Sequence, residues 1–149
     1  MASDLVLDIP NDLASIEETV EFVMQRCGVC GDDPRRLRLN LRVGLTEALA
    51  NAMLYGNGRD SSKRVKMEVA FQGATITARI TDEGSGFDPL HIPDPTCPAN
   101  LMKPEGRGIF LMRKLLDEVR FNDRGNSVTL VLRLLPERDD RGMNGGARA

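Results

Sequence analysis

In the run Ile76-Thr77-Ala78-Arg79-Ile80-Thr81-Asp82, alternate residues are apolar until the last, which is a carboxylate. If the strand continues through it, Asp82 points to the core side, where an unpaired charge is expensive. If the strand has already ended, Asp82 only starts a turn. The residues that follow, Glu83-Gly84-Ser85-Gly86-Phe87, set two glycines just beyond the carboxylate. Glycine admits positive φ and lets a ligand approach without a Cβ in the way. An acceptor carboxylate beside such a turn suits the amino edge of a purine. Alone, the D-x-G-x-G spacing is a weak signal.

Two further groupings have chemistry in them. Gly106-Arg107-Gly108 is expected to open a helix after a long loop, and free N–H groups with the positive end of the helix dipole favour phosphate there. Glycines that merely end a loop read the same way. Glu47 and Asn51 are four residues apart and so share one helical face. An amide oxygen can ligate Mg²⁺ that also holds phosphate oxygens, and a nearby carboxylate can act as general base. The bland counterpart is a polar stripe on a partly exposed helix.

Positioning these groups requires definite elements. Leu5, Leu7 and Ile9 alternate up to Pro10, a short first strand. Asn11 is placed to cap a helix carrying Ile16, Val20, Val23 or Met24, and Cys27, which Gly28 and Gly31 break. Asp33-Pro34 signals a second helix reaching about Tyr55. Leu37, Leu41, Leu45, Ala48 and Ala52 lie on one of its faces, and Leu39, Val43, Ala50 and Leu54 form a second apolar set, so this helix is expected to be central. Gly56 and Gly58 end it. Val65, Met67, Val69 and Phe71 line one strand, Gln72-Gly73 turns, and Ala74, Ile76, Ala78 and Ile80 line the next. Pro89 to Pro104 holds five prolines and reads as a loop. A helix to about Leu116 carries Ile109, Met112 and Leu116. A strand with Val119 and Phe121, a turn over Asp123 to Asn126, and a strand with Val128, Leu130, Leu132 and Leu134 complete the chain. The pattern is α+β, with helices covering one face of a largely antiparallel sheet.

Composition narrows the function. The 149 residues carry 20 Lys and Arg against 22 Asp and Glu, for a net charge of −2. A near-neutral chain is a poor candidate for nucleic-acid binding through phosphate neutralisation. No apolar stretch approaches the roughly 18–20 residues of a membrane span. Nothing at the N-terminus resembles a signal peptide, so a cytoplasmic location is expected. Cys27 and Cys30 form one C-x-x-C, half of a tetrahedral zinc site, which Cys97 and His91 would complete only by accident of folding. Incidental thiols are the simpler reading. Residues 1–136 read as one domain and 137–149, rich in Arg, Asp, Gly and Asn, as a disordered tail.

Taken together, Glu47-x-x-x-Asn51, Asp82-x-Gly84-x-Gly86 and Gly106-x-Gly108 resemble, in order and spacing, the three nucleotide-binding boxes of the GHKL ATPase superfamily, over roughly Leu5 to Leu135. The resemblance implies a Bergerat fold, a two-layer α/β sandwich with a mixed, mostly antiparallel sheet and helices on one face. It implies ATP and Mg²⁺ as cofactors. Asp82 would bind the adenine amino group and Asn51 would ligate Mg²⁺. Gly84, Gly86, Gly106, Arg107 and Gly108 would line the nucleotide, with Gly106 to Gly108 closing over the phosphates and Pro89 to Glu105 as an ATP lid. Arg107 would lie beside the phosphates or else face solvent or a partner.

The strings Glu47-Ala48-Leu49-Ala50-Asn51-Ala52, Gly84-Ser85-Gly86-Phe87-Asp88-Pro89 and Gly106-Arg107-Gly108-Ile109-Phe110-Leu111-Met112 are similar to those of the bacterial anti-sigma-factor serine kinases. Members of that branch bind a sigma factor and phosphorylate a serine or threonine on an anti-sigma-factor antagonist, and they often form homodimers. The implied chemistry makes Glu47 the catalytic base for the incoming hydroxyl. Tyr55 stands where many members carry histidine, and Asn126 where a threonine often supports the adenine. The alternative is an ATP-binding regulatory module that sequesters a partner without phosphotransfer.

Overall fold

The computed structural model describes residues 2–27, 37–85 and 104–133. Their elements are β1 (Leu5–Pro10), α1 (Ile16–Cys27), α2 (Arg42–Asn51), β2 (Arg64–Gln72), β3 (Thr75–Asp82), α3 (Pro104–Leu115), β4 (Glu118–Phe121) and β5 (Ser127–Arg133). The helix around α2 is longer than its regular part, since wider-wound turns continue it over Leu37–Leu41 and Ala52–Gly56. Five strands form one sheet in the order β1-β2-β3-β5-β4, and every pairing among them is antiparallel.

Period-two alternation decides which side of the sheet is covered. Ile9, Val65, Met67, Val69, Ile76, Ala78, Ile80, Val128, Leu130 and Leu132 are buried on one face. Against them lie Val20 and Val23 of α1, Leu45 and Leu49 of α2, and Ile109 and Met112 of α3, all in one core. The helices therefore form a single layer on the sheet, an α+β sandwich with α2 in contact with both α1 and α3. The opposite face is mostly polar, with Ala70 and Val131 among its few apolar residues. Glu68 and Arg79 pair across β2 and β3 there, with both guanidinium contacts at 2.9–3.0 Å. No helix among the described residues is long and apolar enough to cross a membrane.

Several local expectations are corrected. Asn11 does not cap the first helix. Asp12 does, its carboxylate accepting the Ala14 N–H at 3.0 Å at a short 3₁₀ turn, Leu13–Ser15, ahead of α1. The apolar set Leu39, Val43, Ala50 and Leu54 is not a second buried face: Leu39 is exposed and the other three are only half-buried. Buried Leu41 and Leu45 instead carry the seam through that part of the helix. Helix α3 begins at Pro104, earlier than the glycines suggested, because proline fits the first helical position where no N–H is needed. The Asp33-Pro34 signal, most of the Pro89–Glu105 segment, Leu134 and the 137–149 segment lie outside the described residues.

Candidate functional site

Strand β3 does run through Asp82, whose partner across β2 is Val65. Parity then turns the carboxylate inward, and Asp82 is only 8% exposed. Such a group needs acceptable company, and two glycines supply the space for it. The Gly84 N–H donates to Asp82 Oδ1 at 2.8 Å. Gly56, at the end of the α2 helix, lies so near that a Cβ there would overlap the other carboxylate oxygen. Gly84 itself lies against the Gly56 carbonyl, and a Cβ on Gly84 would collide with that oxygen. The first glycine of D-x-G-x-G is thus required by close backbone approach. Burial raises the Asp82 pKa above the ordinary carboxylate value; the Gly84 N–H, Lys63 and Arg124 oppose that shift.

The second cluster lies earlier on the same helix. Asn51 precedes Gly56 by about one and a half turns. Gly44, Glu47 and Asn51 fall at i, i+3 and i+7, the face that α3 meets. A Cβ placed on Gly44 would stand 2.8 Å from Leu116 Cδ1, so glycine lets the end of α3 come close. At the other end of the contact, a Cβ on Gly108 would stand 2.9 Å from Glu47 Oε2 and 3.1–3.2 Å from the Asn51 amide atoms. Glu47, Asn51 and Gly108 are brought together although 61 positions separate the first from the last (108 − 47).

The remaining expected site residues fall as follows. Gly106 belongs to the first turn of α3, and Arg107 is exposed. With the helix starting at Pro104, the N–H groups of the first turn, Gly106 and Arg107 included, are those left without an intrahelical acceptor, and Gly108 contributes close approach. Gly86 lies outside the described residues. Tyr55 is exposed. Asn126 is tied to its own hairpin: the Asn122 amide donates to its Oδ1 at 2.6 Å, and its backbone carbonyl accepts the Asp82 N–H at 2.9 Å.

Sequence reasoning passed over Gly56 except as a helix stop, and it missed Gly44 and Asn57 altogether. A glycine in mid-helix was the available signal for Gly44. Asn57, 2% exposed, was readable only as part of a loop. Cys27 is buried in the core, while Cys30, Cys97 and His91 lie outside the described residues. No group of three or more His, Cys, Asp or Glu side chains among the described residues could hold a metal. An open polar groove of about 870 Å³ lies on the far side of the sheet, lined by Lys66, Arg79, Thr81, Ser127 and Thr129 among others. It contains none of Glu47, Asn51, Asp82 or Gly108.

The donor set fits a magnesium nucleotide. A carboxylate in a space cleared by two glycines can accept from a base amino group. An amide oxygen, a carboxylate and a helix start suit a cation shared with phosphates. A model of the histidine kinase-like ATPase domain matches residues 9–132. The chain is 30% identical over 95 residues to an anti-sigma F factor of Anoxybacillus flavithermus, spanning 61% of this chain and 64%, just under two thirds, of that protein. It is 27% identical over 138 residues to the serine-protein kinase RsbW of Bacillus subtilis, spanning 88% and 84%. It is 26% identical over 141 residues to the RsbW of Bacillus licheniformis, spanning 89% and 85%.

Proposed function

The chain belongs to the histidine kinase-like ATPase family, and from that membership we propose that it is an ATP-dependent serine/threonine protein kinase of the anti-sigma type. Its protein substrate is an anti-sigma-factor antagonist and its regulatory target a sigma factor. The observation that carries the reading is the meeting of Gly108 of α3 with Glu47 and Asn51, which lie on the helix that ends beside Asp82.

Asp82 accepts the amino group of adenine, and a guanine 6-oxo group would present acceptor to acceptor. Asn51 offers its amide oxygen to Mg²⁺, which when bound supplies positive charge to the phosphate oxygens. The N–H groups at the start of α3, those of Gly106 and Arg107, face the phosphates together with the helix dipole. Gly84 lets the turn after Asp82 pass close to Gly56, and Gly108 lets α3 approach Glu47. Glu47 takes the proton of the substrate hydroxyl as its oxygen bonds to the γ-phosphorus, while the bond to the bridging oxygen breaks and ADP leaves. Positioning and electrostatics supply most of the rate in such transfers.

Incubation with γ-labelled ATP, Mg²⁺ and candidate antagonist proteins from the same genome tests the reading. Label on a seryl or threonyl residue supports the kinase. Tight nucleotide binding and sigma-factor capture with no transfer would instead support an ATP-binding module that acts by sequestration, as the name of the anti-sigma F factor relative also allows.

A further inference from the structure

Asn57 follows the helix that carries Glu47 and Asn51, and it is one of two buried polar side chains among the described residues, with Asp82 the other. Burial of an amide costs free energy unless its donors and acceptor are satisfied. Here three hydrogen bonds are directed each to a different strand end. Nδ2 donates to Asn11 Oδ1 at 3.1 Å, just past β1, and to the Arg64 carbonyl at 3.0 Å, at the start of β2. Oδ1 accepts the Glu83 N–H at 2.7 Å, at the end of β3.

That last bond acts on the peptide joining Asp82 to Glu83. The next peptide is held by Asp82 itself, through the Gly84 N–H. On its other side Asp82 is held by the Asn126 carbonyl. Without the Asn57 bond the turn keeps the Arg64 N–H on the Glu83 carboxylate and the contact of Gly84 with the Gly56 carbonyl. The Glu83 peptide can then reorient, which weakens the hold of the Gly84 N–H on Oδ1 and the fixed direction of the carboxylate.

We propose that Asn57 is a positioning residue that fixes the direction of the Asp82 carboxylate through Glu83 and thereby sets the preference of the site for adenine over guanine. The inference rests on the reading of Asp82 as the acceptor for the base. A residue that only anchored the loop would affect stability and leave base preference alone, because both bases share ribose and phosphates.

The test measures ATP and GTP affinity with Mg²⁺ by calorimetry, alongside thermal unfolding, in the full chain and in N57L and N11A. The parent protein is expected to prefer ATP; absence of ATP binding in the parent would remove the reading of Asp82 and this inference with it. N57L is expected to lose at least about tenfold of the ATP-to-GTP preference, as befits misdirection of one charged hydrogen-bond acceptor. N11A removes the Asn11 arm and leaves the Glu83 bond, so it lowers the melting temperature with the preference held within about twofold. If N57L binds ATP but keeps the parental preference, or if N11A shifts the preference as far as N57L, the inference is overturned. Should N57L not fold, N57S, too short to reach Glu83 and leaving room for water, is read by the same criterion.

Discussion

Gly108 of α3 lies against Glu47 of α2 so closely that an added Cβ would stand 2.9 Å from the carboxylate oxygen. The atom it would meet is the far end of a flexible side chain, which can swing aside. In a helix, alanine is also favoured over glycine by about 1 kcal/mol. Gly108→Ala is therefore expected to fold with an unchanged or raised melting temperature. Its phosphotransfer rate should fall by roughly 10–100-fold, since an ångström of misplacement in a reacting group can cost that much. Loss of stability equal to the loss of rate would show instead that the contact is only packing.

Glu47 and Asn51 share a helix face but are given different work, and their variants should separate. Glu47→Gln keeps shape and hydrogen bonding while losing the capacity to take a proton. It should bind Mg·ATP within about threefold of the parent and transfer phosphate roughly 10²–10⁴-fold more slowly. Asn51→Ala should lose the magnesium-dependent part of ATP affinity. Unchanged single-turnover rates in Glu47→Gln would remove Glu47 from its role.

Gly56 and Asp82 make a sharper structural test. A Cβ at position 56 meets a short, buried side chain that cannot move far, so Gly56→Ala is expected to destabilise by about 1–3 kcal/mol, the usual cost of overpacking. Removing the obstructing carboxylate should recover part of it. In a double-mutant cycle, Gly56→Ala combined with Asp82→Ala should cost less than the two single changes added together. Additive denaturation energies would mean that the two residues do not press on each other.

Much of this was legible because local periodicity and local caps carry it. The alternation in Val65 to Val69 and in Ile76 to Ile80 marks the two strands locally. It gives Asp82 an inward place only if the strand runs on, and the pairing of Asp82 with Val65 is what decides that. What was not legible depends on contacts far along the chain. Asn57 and Glu83 are 26 positions apart, so nothing near Asn57 marks it as part of the Asp82 turn. Gly56 satisfies the rule for a helix stop, which hides that Asp82 also requires it. Adjacent residues with equal capping capacity, Asn11 and Asp12, can be separated only by geometry: Asp12 takes the cap, and Asn11 donates to the Asp60 carbonyl at 2.9 Å. At α3 two signals competed, and proline at the first position prevailed over glycine as a breaker.

Asp82 also predicts a pH dependence whose sign follows from its burial. Its pKa in the folded chain lies above the value of about 3.9 usual for an unfolded aspartate, because desolvation disfavours the charged form. A raised carboxyl pKa means that folding is favoured with the proton on. That contribution is complete below the unfolded value and is lost as pH rises through the folded one. At neutral pH the ionised Asp82 therefore weighs against the fold. Asp82→Asn keeps the shape and lets an amide oxygen accept the Gly84 N–H, with no charge to desolvate. The nucleotide-free variant should melt above the parent at pH 7, by roughly 2–4 °C for a change of ~1 kcal/mol in a chain of this size. The difference should shrink as pH falls through the folded value and vanish well below about 3.9, where the parent is protonated in both states. Over the same series ATP affinity at neutral pH should collapse in the variant, because an amide N–H₂ then faces the adenine amino group. Thermal scans between pH 3.5 and 8 together with calorimetry check both arms, and a variant less stable than the parent at every pH would contradict the burial argument.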